Sequence, residues 1–108
     1  MFLVHNGVVR QSPKAKVRQG LDLKTDVHQM TFSADQARVD QVVEATYAMD
    51  GIHYIRVWLN DGLLDVGDDI MLILIGGDIR PHVIDALQYL VGRIKNDCVT
   101  EIEHTVDQ

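Results

Sequence analysis

Residues 65–95 read DVGDDIMLILIGGDIRPHVIDALQYLVGRIK, and the other segments are arranged around them. Ile70, Met71, Leu72, Ile73, Leu74 and Ile75 form an apolar run with no charge and no alternation. Such a run suits a strand covered on both faces, with a buried helical segment as the alternative that periodicity leaves open. Gly76-Gly77-Asp78 stops it, and Pro81 stands where a first helical turn needs no N–H. The apolar period then changes: Val83, Leu87, Leu90 and Ile94 share one helical stripe, widened by Ile84, Ala86 and Val91. A buried strand therefore feeds through a glycine turn into an amphipathic helix of about four turns that reaches Lys95. The start of that helix offers unpaired N–H groups and a partial positive charge beside Arg80, which suits an anion such as phosphate. Arg80 equally suits solvation of the helix end, or pairing with Asp78 or Asp85. Gly76-Gly77 matches neither the P-loop nor the dinucleotide-binding pattern.

A chain of 108 residues suggests one domain, 1–108, and 46% apolar residues suffice for a core. So short a chain has little stability to spare, and dimerisation would help it. A net charge of −6 argues against a protein that coats nucleic acid. One cysteine, Cys98, excludes an internal disulfide and fits a reducing cytosol. Residues 1–9, MFLVHNGVV, lack the basic leader and long apolar region of a signal peptide, and no apolar run approaches the roughly 20 residues of a membrane helix. The expectation is a cytoplasmic protein with no membrane partner.

Phe2 to Val9 reads as a strand ending at Gly7-Val8-Val9-Arg10. Arg10, Lys14, Lys16 and Arg18 then gather four of the ten basic residues in a loop marked by Pro13 and Gly20. That loop is either a solvated segment or a docking surface for a phosphate or an acidic partner. Leu21 with Leu23, and Met30 with Phe32, allow one or two short strands. Ser33 with Gln36 forms a capping-box pattern, followed by Val39, Val42, Val43, Thr46 and Met49 at helical spacing and by Gly51 as a stop. Ile52 to Leu59 alternates as a strand, with Ile55, Val57 and Leu59 on one face and Tyr54, Arg56 and Trp58 on the other. Asn60-Asp61-Gly62 is a turn signal. After the second helix, Thr100, Ile102, His104 and Val106 alternate with Glu101, Glu103 and Thr105, which reads as an edge strand with an acidic outer face. The fold class is α+β, with a mixed or antiparallel sheet and two main helices.

Several chemistries lack their signature. His5, His28, His53, His82 and His104 stand at no zinc-motif spacing, and Cys98 has no Cys-x-x-Cys partner. Cys98 reads as a small core residue. No Gly-x-Ser-x-Gly elbow occurs. Asp65, Asp68 and Asp69 suit a turn better than a cation site. Lys95 lies near a helix C-terminus, where any cation is favoured by the helix dipole.

Gly62-Leu63-Leu64-Asp65-Val66-Gly67-Asp68-Asp69-Ile70 carries a resemblance. It is similar to the Gly-x-Leu-x-x-Gly-Asp-x-Ile/Val segment of the molybdopterin synthase large (catalytic) subunit family, where an apolar strand and a long helix follow. Counting onward without a gap, Arg80 matches the arginine of the family's His-Arg pair, Ala86 a helix alanine, and Lys95 the lysine of its Leu-Lys step. Gly7-Val8-Val9-Arg10 resembles the family's early Gly-x-Val-Arg. The likeness runs from about residue 7 to residue 104 and makes this chain a divergent member. Ile79 stands where the family has histidine, with His82 in the same helical turn as a substitute. The lysine of the family's Trp-Lys-Lys-Glu segment falls on Ile102, no lysine follows Lys95, and the family's longer N-terminal segment has no counterpart in these residues.

The resemblance implies an α/β-hammerhead fold and a sulfurtransferase that acts in molybdenum cofactor biosynthesis. In that family a small ubiquitin-like subunit carries a C-terminal thiocarboxylate, and sulfur passes to cyclic pyranopterin monophosphate to form the molybdopterin dithiolene. It implies Lys95 as the catalytic residue, Arg10, Arg80 and His82 as substrate-binding residues, and no metal and no cofactor. Arginines suit a phosphate through forked, charge-assisted hydrogen bonds, and a lysine in a partly buried cationic pocket suits proton movement. Arg80 and Lys95 stand fifteen positions apart in the sequence. On one helix they would lie roughly 22 Å apart along the axis, so a site using both should draw them from two subunits of a homodimer. Two other readings stand beside this one: a binding or regulatory paralogue that keeps the fold and dimer without catalysis, and an unrelated α+β interaction domain.

Overall fold

The computed structural model describes residues 1–10 and 26–106. Lys14, Lys16, Arg18, Leu21 and Leu23 lie outside the described residues, and the expected basic docking loop with them. The elements are β1 (Phe2–Val8), β2 (Asp26–Ala34), α1 (Gln36–Tyr47), β3 (Ile52–Leu59), β4 (Gly62–Asp65), β5 (Asp69–Gly77), α2 (Arg80–Arg93), a π turn (Ile94–Cys98) and β6 (Val99–Val106). The strands form two antiparallel three-stranded sheets, in the orders β1-β5-β3 and β4-β2-β6. The α+β class is as the sequence implies.

The apolar run is β5, the central strand of the first sheet. Met71, Ile73 and Ile75 are buried, and α2 packs on β5, β1 and β3. The opposite face is not covered by any described helix, contrary to the expectation of two covered faces. Leu72 and Leu74 there are half-buried between their cross-strand neighbours: Asn6 and Trp58 flank Leu72, and Val4 and Arg56 flank Leu74. An uncharged run thus arises from shielding within the sheet as well as from covering layers.

On α2 the buried positions are Val83, Ala86 and Leu90, continued by Ile94, with Ile84, Leu87 and Val91 half-buried. α1 supplies Val39, Val42 and Thr46, and it packs on α2, on β3 and on the π turn. The Thr46 hydroxyl is satisfied within its own helix, donating to Val42 O at 2.7 Å. Phe32, Met30 and Leu64 bring the second sheet into the same core.

Three local expectations change. Ser33 does not cap α1; it lies in β2 opposite Thr100, because the β2–β6 ladder runs on to Ala34 and Val99. Asp35 is the cap, accepting from Arg38 N–H, while its own N–H donates to Cys98 O at 2.7 Å. Gln36 reaches forward to Asp40 instead of back. Asn60-Asp61-Gly62 turns the chain into the other sheet, where β4 pairs with β2. The β3–β5 ladder closes across this excursion, since Asn60 N–H donates to Ile70 O and the Asn60 amide donates to Asp69 O, both at 2.9 Å. Finally, α2 ends at Arg93, and the π turn carries the chain from there to β6.

Candidate functional site

The seam between the two sheets holds a cleft of about 220 Å³. Its walls come from His5, Asn6, Gly7 and Val8 on β1, Arg10 just beyond, Met30 on β2, Ile70 and Met71 on β5, Lys95 in the π turn, and Glu101 and Glu103 on β6. The π turn is what delivers the lysine. Ile94 and Cys98 anchor it in the core, and the wider turn leaves Lys95 half-buried at the cleft wall. Single π turns are frequent at functional sites. Asp97 braces the turn from outside, accepting from Arg93 Nε at 2.5 Å, and its carbonyl accepts from Arg38 Nη1 at 3.1 Å.

The floor of the cleft is apolar and its walls are charged with both signs. Lys95, Glu101 and Glu103 are each engaged with a neighbour. His5 is different. Its Nε2 is buried and has no hydrogen-bond partner among the described residues. Burial, and then the Lys95 ammonium, push its pKa below the ordinary value of 6.5, so the imidazole is held neutral. The tautomer is set by whichever ring nitrogen finds an acceptor.

Arg80 and His82 lie elsewhere, at the opposite end of α2. Arg80 is exposed. His82 Nδ1 bonds Asp78 Oδ1 at 2.8 Å, and Ile79 N–H donates to the same oxygen at 2.6 Å. These two bonds, His82 first, hold the Asp78 carboxyl below its usual range. The anion that this helix start favours is therefore the chain's own Asp78. Gly76 and Gly77 serve packing: a Cβ on Gly76 would overlap the Phe2 ring, and one on Gly77 would overlap the Gly51 carbonyl oxygen.

Other candidates resolve simply. Cys98 is buried, and burial followed by the Asp97 carboxylate pushes its thiol up, away from a nucleophilic thiolate. The aspartates before β5 do turn work: Asp68 Oδ2 accepts from Asp65 N–H, and Asp65 Oδ1 accepts from Gln29, both at 2.9 Å. Among the described residues no group of three His, Cys, Asp or Glu is placed to hold a metal.

The MoaE protein family model matches residues 2–97. The chain belongs to the MoaE family. That family serves molybdenum cofactor biosynthesis. An unrelated interaction domain is thereby excluded. No curated protein matches the sequence. Among solved structures, the chain is similar to molybdopterin synthase from Staphylococcus aureus, with a TM-score of 0.78 and 18% identity over 100% of this chain and 76% of that one. It is also similar to a chain of the complex of subunits 1 and 2 of molybdopterin-converting factor from Helicobacter pylori, with a TM-score of 0.69 and 16% identity over 95% and 64%. A third likeness is to the molybdopterin biosynthesis MoaE protein from Burkholderia ambifaria, with a TM-score of 0.65 and 12% identity over 99% and 74%. At these identities the likeness shows the MoaE fold. No helix among the described residues is long and apolar enough to cross a membrane.

Sequence reasoning missed His5, Glu101 and Glu103. On β1 the more apolar set, Phe2, Val4 and Val8, faces outward, while Leu3, His5 and Gly7 face inward. Alternation alone selects the wrong face. The same inversion occurs on β6. It is an edge strand as expected, but Ile102 is 51% exposed, whereas Glu101 and Glu103 are half-buried at the cleft. The register explains it: Phe32 pairs with Glu101 and Met30 with Glu103, on the inner face, while Thr31 pairs with Ile102 on the outer one. A cleft-facing lysine on β6 would have to stand at 101 or 103, and both positions carry glutamate.

Proposed function

We propose that this chain is the large subunit of a molybdopterin synthase, transferring sulfur from the thiocarboxylate of a ubiquitin-like small subunit to cyclic pyranopterin monophosphate. The observation that carries this reading is the meeting of Arg10 and Lys95 in one cleft, from opposite ends of the chain. Arg10 holds the anionic end of the substrate through its forked N–H groups. Lys95, half-buried beside an apolar floor, handles the proton as carbon–sulfur bonds are made. The reading needs no resident metal or cofactor, and it makes the protein cytoplasmic, with neither nucleic acid nor membrane as partner.

Arg80 and His82 enter this site only from a second copy, since α2 separates Arg80 from Lys95 by its own length. The uncovered face of the β1-β5-β3 sheet supports such a homodimer: Phe2 and Val4 are 63% and 62% exposed there, beside Leu72, Leu74, Tyr54 and Trp58. Glu101 and Glu103 favour the second reading, a paralogue that docks the small subunit without turning over.

The test is product formation from the purified chain, a thiocarboxylated small subunit and cyclic pyranopterin monophosphate. Lys95→Ala should lower the rate by about 10²–10⁴-fold while the fold survives. Small-subunit binding without product would replace the synthase by the paralogue. Mixing Lys95→Ala with Arg80→Ala chains examines the dimer. If the two residues come from different subunits, each mixed dimer keeps one intact site, and about a quarter of wild-type activity returns. No recovery overturns the two-subunit site.

A further inference from the structure

His5 Nε2 is a buried polar atom without a partner among the described residues, in a cleft where Lys95, Glu101 and Glu103 are each engaged. Native folds seldom leave such an atom unpaired, and one that lines a cleft is a candidate for a role there. Among the described residues its charged surroundings are Arg10 beyond β1, Lys95 in the π turn, and Glu101 and Glu103 on β6. β2 and β5 contribute only Met30, Ile70 and Met71 to the cleft. Burial, and then the Lys95 ammonium, disfavour a charged imidazole and leave it neutral in the ligand-free protein.

We propose that His5 takes up one proton when an anion enters this cleft, and that the Nε2–H bond so formed donates to the anion. The proton comes from solvent, one N–H bond is made, and no group leaves. An anion seated against Lys95 and Arg10 offsets the Lys95 field and gives the desolvated imidazolium a charged partner to bond. A turn of the ring about its Cβ–Cγ bond then brings Nε2 to the bound anion. By linkage the anion binds more tightly as pH falls. β6 offers carboxylates to the cleft, so the further cation comes from β1, and only on demand. The inference rests on reading the cleft as an anion site; it does not need turnover.

Sulfate is the probe, because it does not titrate in the working range. Calorimetry near pH 7 in two buffers of different ionisation enthalpy counts the protons taken up. Roughly half to one proton per sulfate is expected, with affinity falling up to about tenfold per pH unit above neutrality. His5→Gln should abolish the uptake and flatten the pH profile, while sulfate still binds through Arg10 and Lys95. In the ligand-free protein, Lys95→Met should raise the midpoint of the His5 imidazole signal followed by NMR. Sulfate binding without proton uptake in the wild-type protein overturns the proposal and leaves the anion site standing. Uptake that persists unchanged in His5→Gln also overturns it. Absence of sulfate binding removes the anion site and this proposal together. The wild-type measurement decides even if a variant fails to fold.

Discussion

The two ends of α2 present opposite solutions to the same electrostatic problem. At the N-terminal end, exposed N–H groups and a helix dipole attract an anion, and the chain supplies its own: Asp78, bonded to Ile79 N–H and His82. The glycines beside it are close-packed, Gly76 against the Phe2 ring and Gly77 against the Gly51 carbonyl. At the C-terminal end the helix widens into a π turn and aims Lys95 into a cleft, where a buried imidazole nitrogen lacks a partner among the described residues. One end is satisfied by local bonds and the other is left incomplete. Charge complementarity that a neighbouring residue can meet is used up in folding. Chemistry for a ligand survives where the groups come from distant segments and cannot all reach one another.

Variants at the two ends should separate these roles. The largest effect belongs to Ile94→Ala, beneath the π turn, where the side chain is fully buried. Emptying that position should cost about 2–5 kcal/mol in urea unfolding, and sulfate affinity at the cleft should fall with it. Intact sulfate binding in the variant would mean that the turn does not position Lys95. Gly77→Ala should cost about 1–3 kcal/mol, because its Cβ meets backbone at Gly51 and the Val83 side chain at 3.0 Å. Sulfate affinity should be unchanged there, and a loss would show that the two ends are coupled.

Asp78→Asn should have the smallest effect, read as a change in the pH dependence of Tm. The Asp78 carboxyl is held below its ordinary value of 3.8, so its contribution is present above that value and is lost as pH falls through the folded-state value. Wild-type and variant Tm should therefore differ at neutral pH and converge in acid. His5 carries a pH dependence of its own, with the same sign. Held below 6.5, it is neutral in the fold and more readily protonated in the unfolded chain, so stability declines as pH drops below 6.5. His5→Gln should remove that decline without altering the acid behaviour of Asp78.

Much of the architecture was legible in order. The central strand, the glycine stop, the helical stripe of α2 and the closing glycine at Gly51, with φ of 76°, all follow from short-range chemistry. Lys95 and Arg10 were reachable through the family resemblance carried by residues 62–95 and 7–10. The capping residue of α1 was misplaced because a long-range ladder extends β2 past Ser33. His5 was overlooked because the more apolar side of β1 is its outer side.

By itself the sequence determined what local periodicity and backbone preference control: which segments are strands or helices, where glycine stops them and proline opens one, and that a lysine follows the stripe of the second helix. Tertiary structure alone decided which faces turn inward. A strand has a period of two, so a one-residue difference in pairing moves every side chain across the sheet. The pairing of β6 with β2 sends Ile102 outward and Glu101 and Glu103 into the cleft. The seam between the sheets brings His5, Arg10 and Lys95 to one cavity from segments that carry no sign of one another. That placement depends on contacts distant in the chain, and no local pattern encodes it.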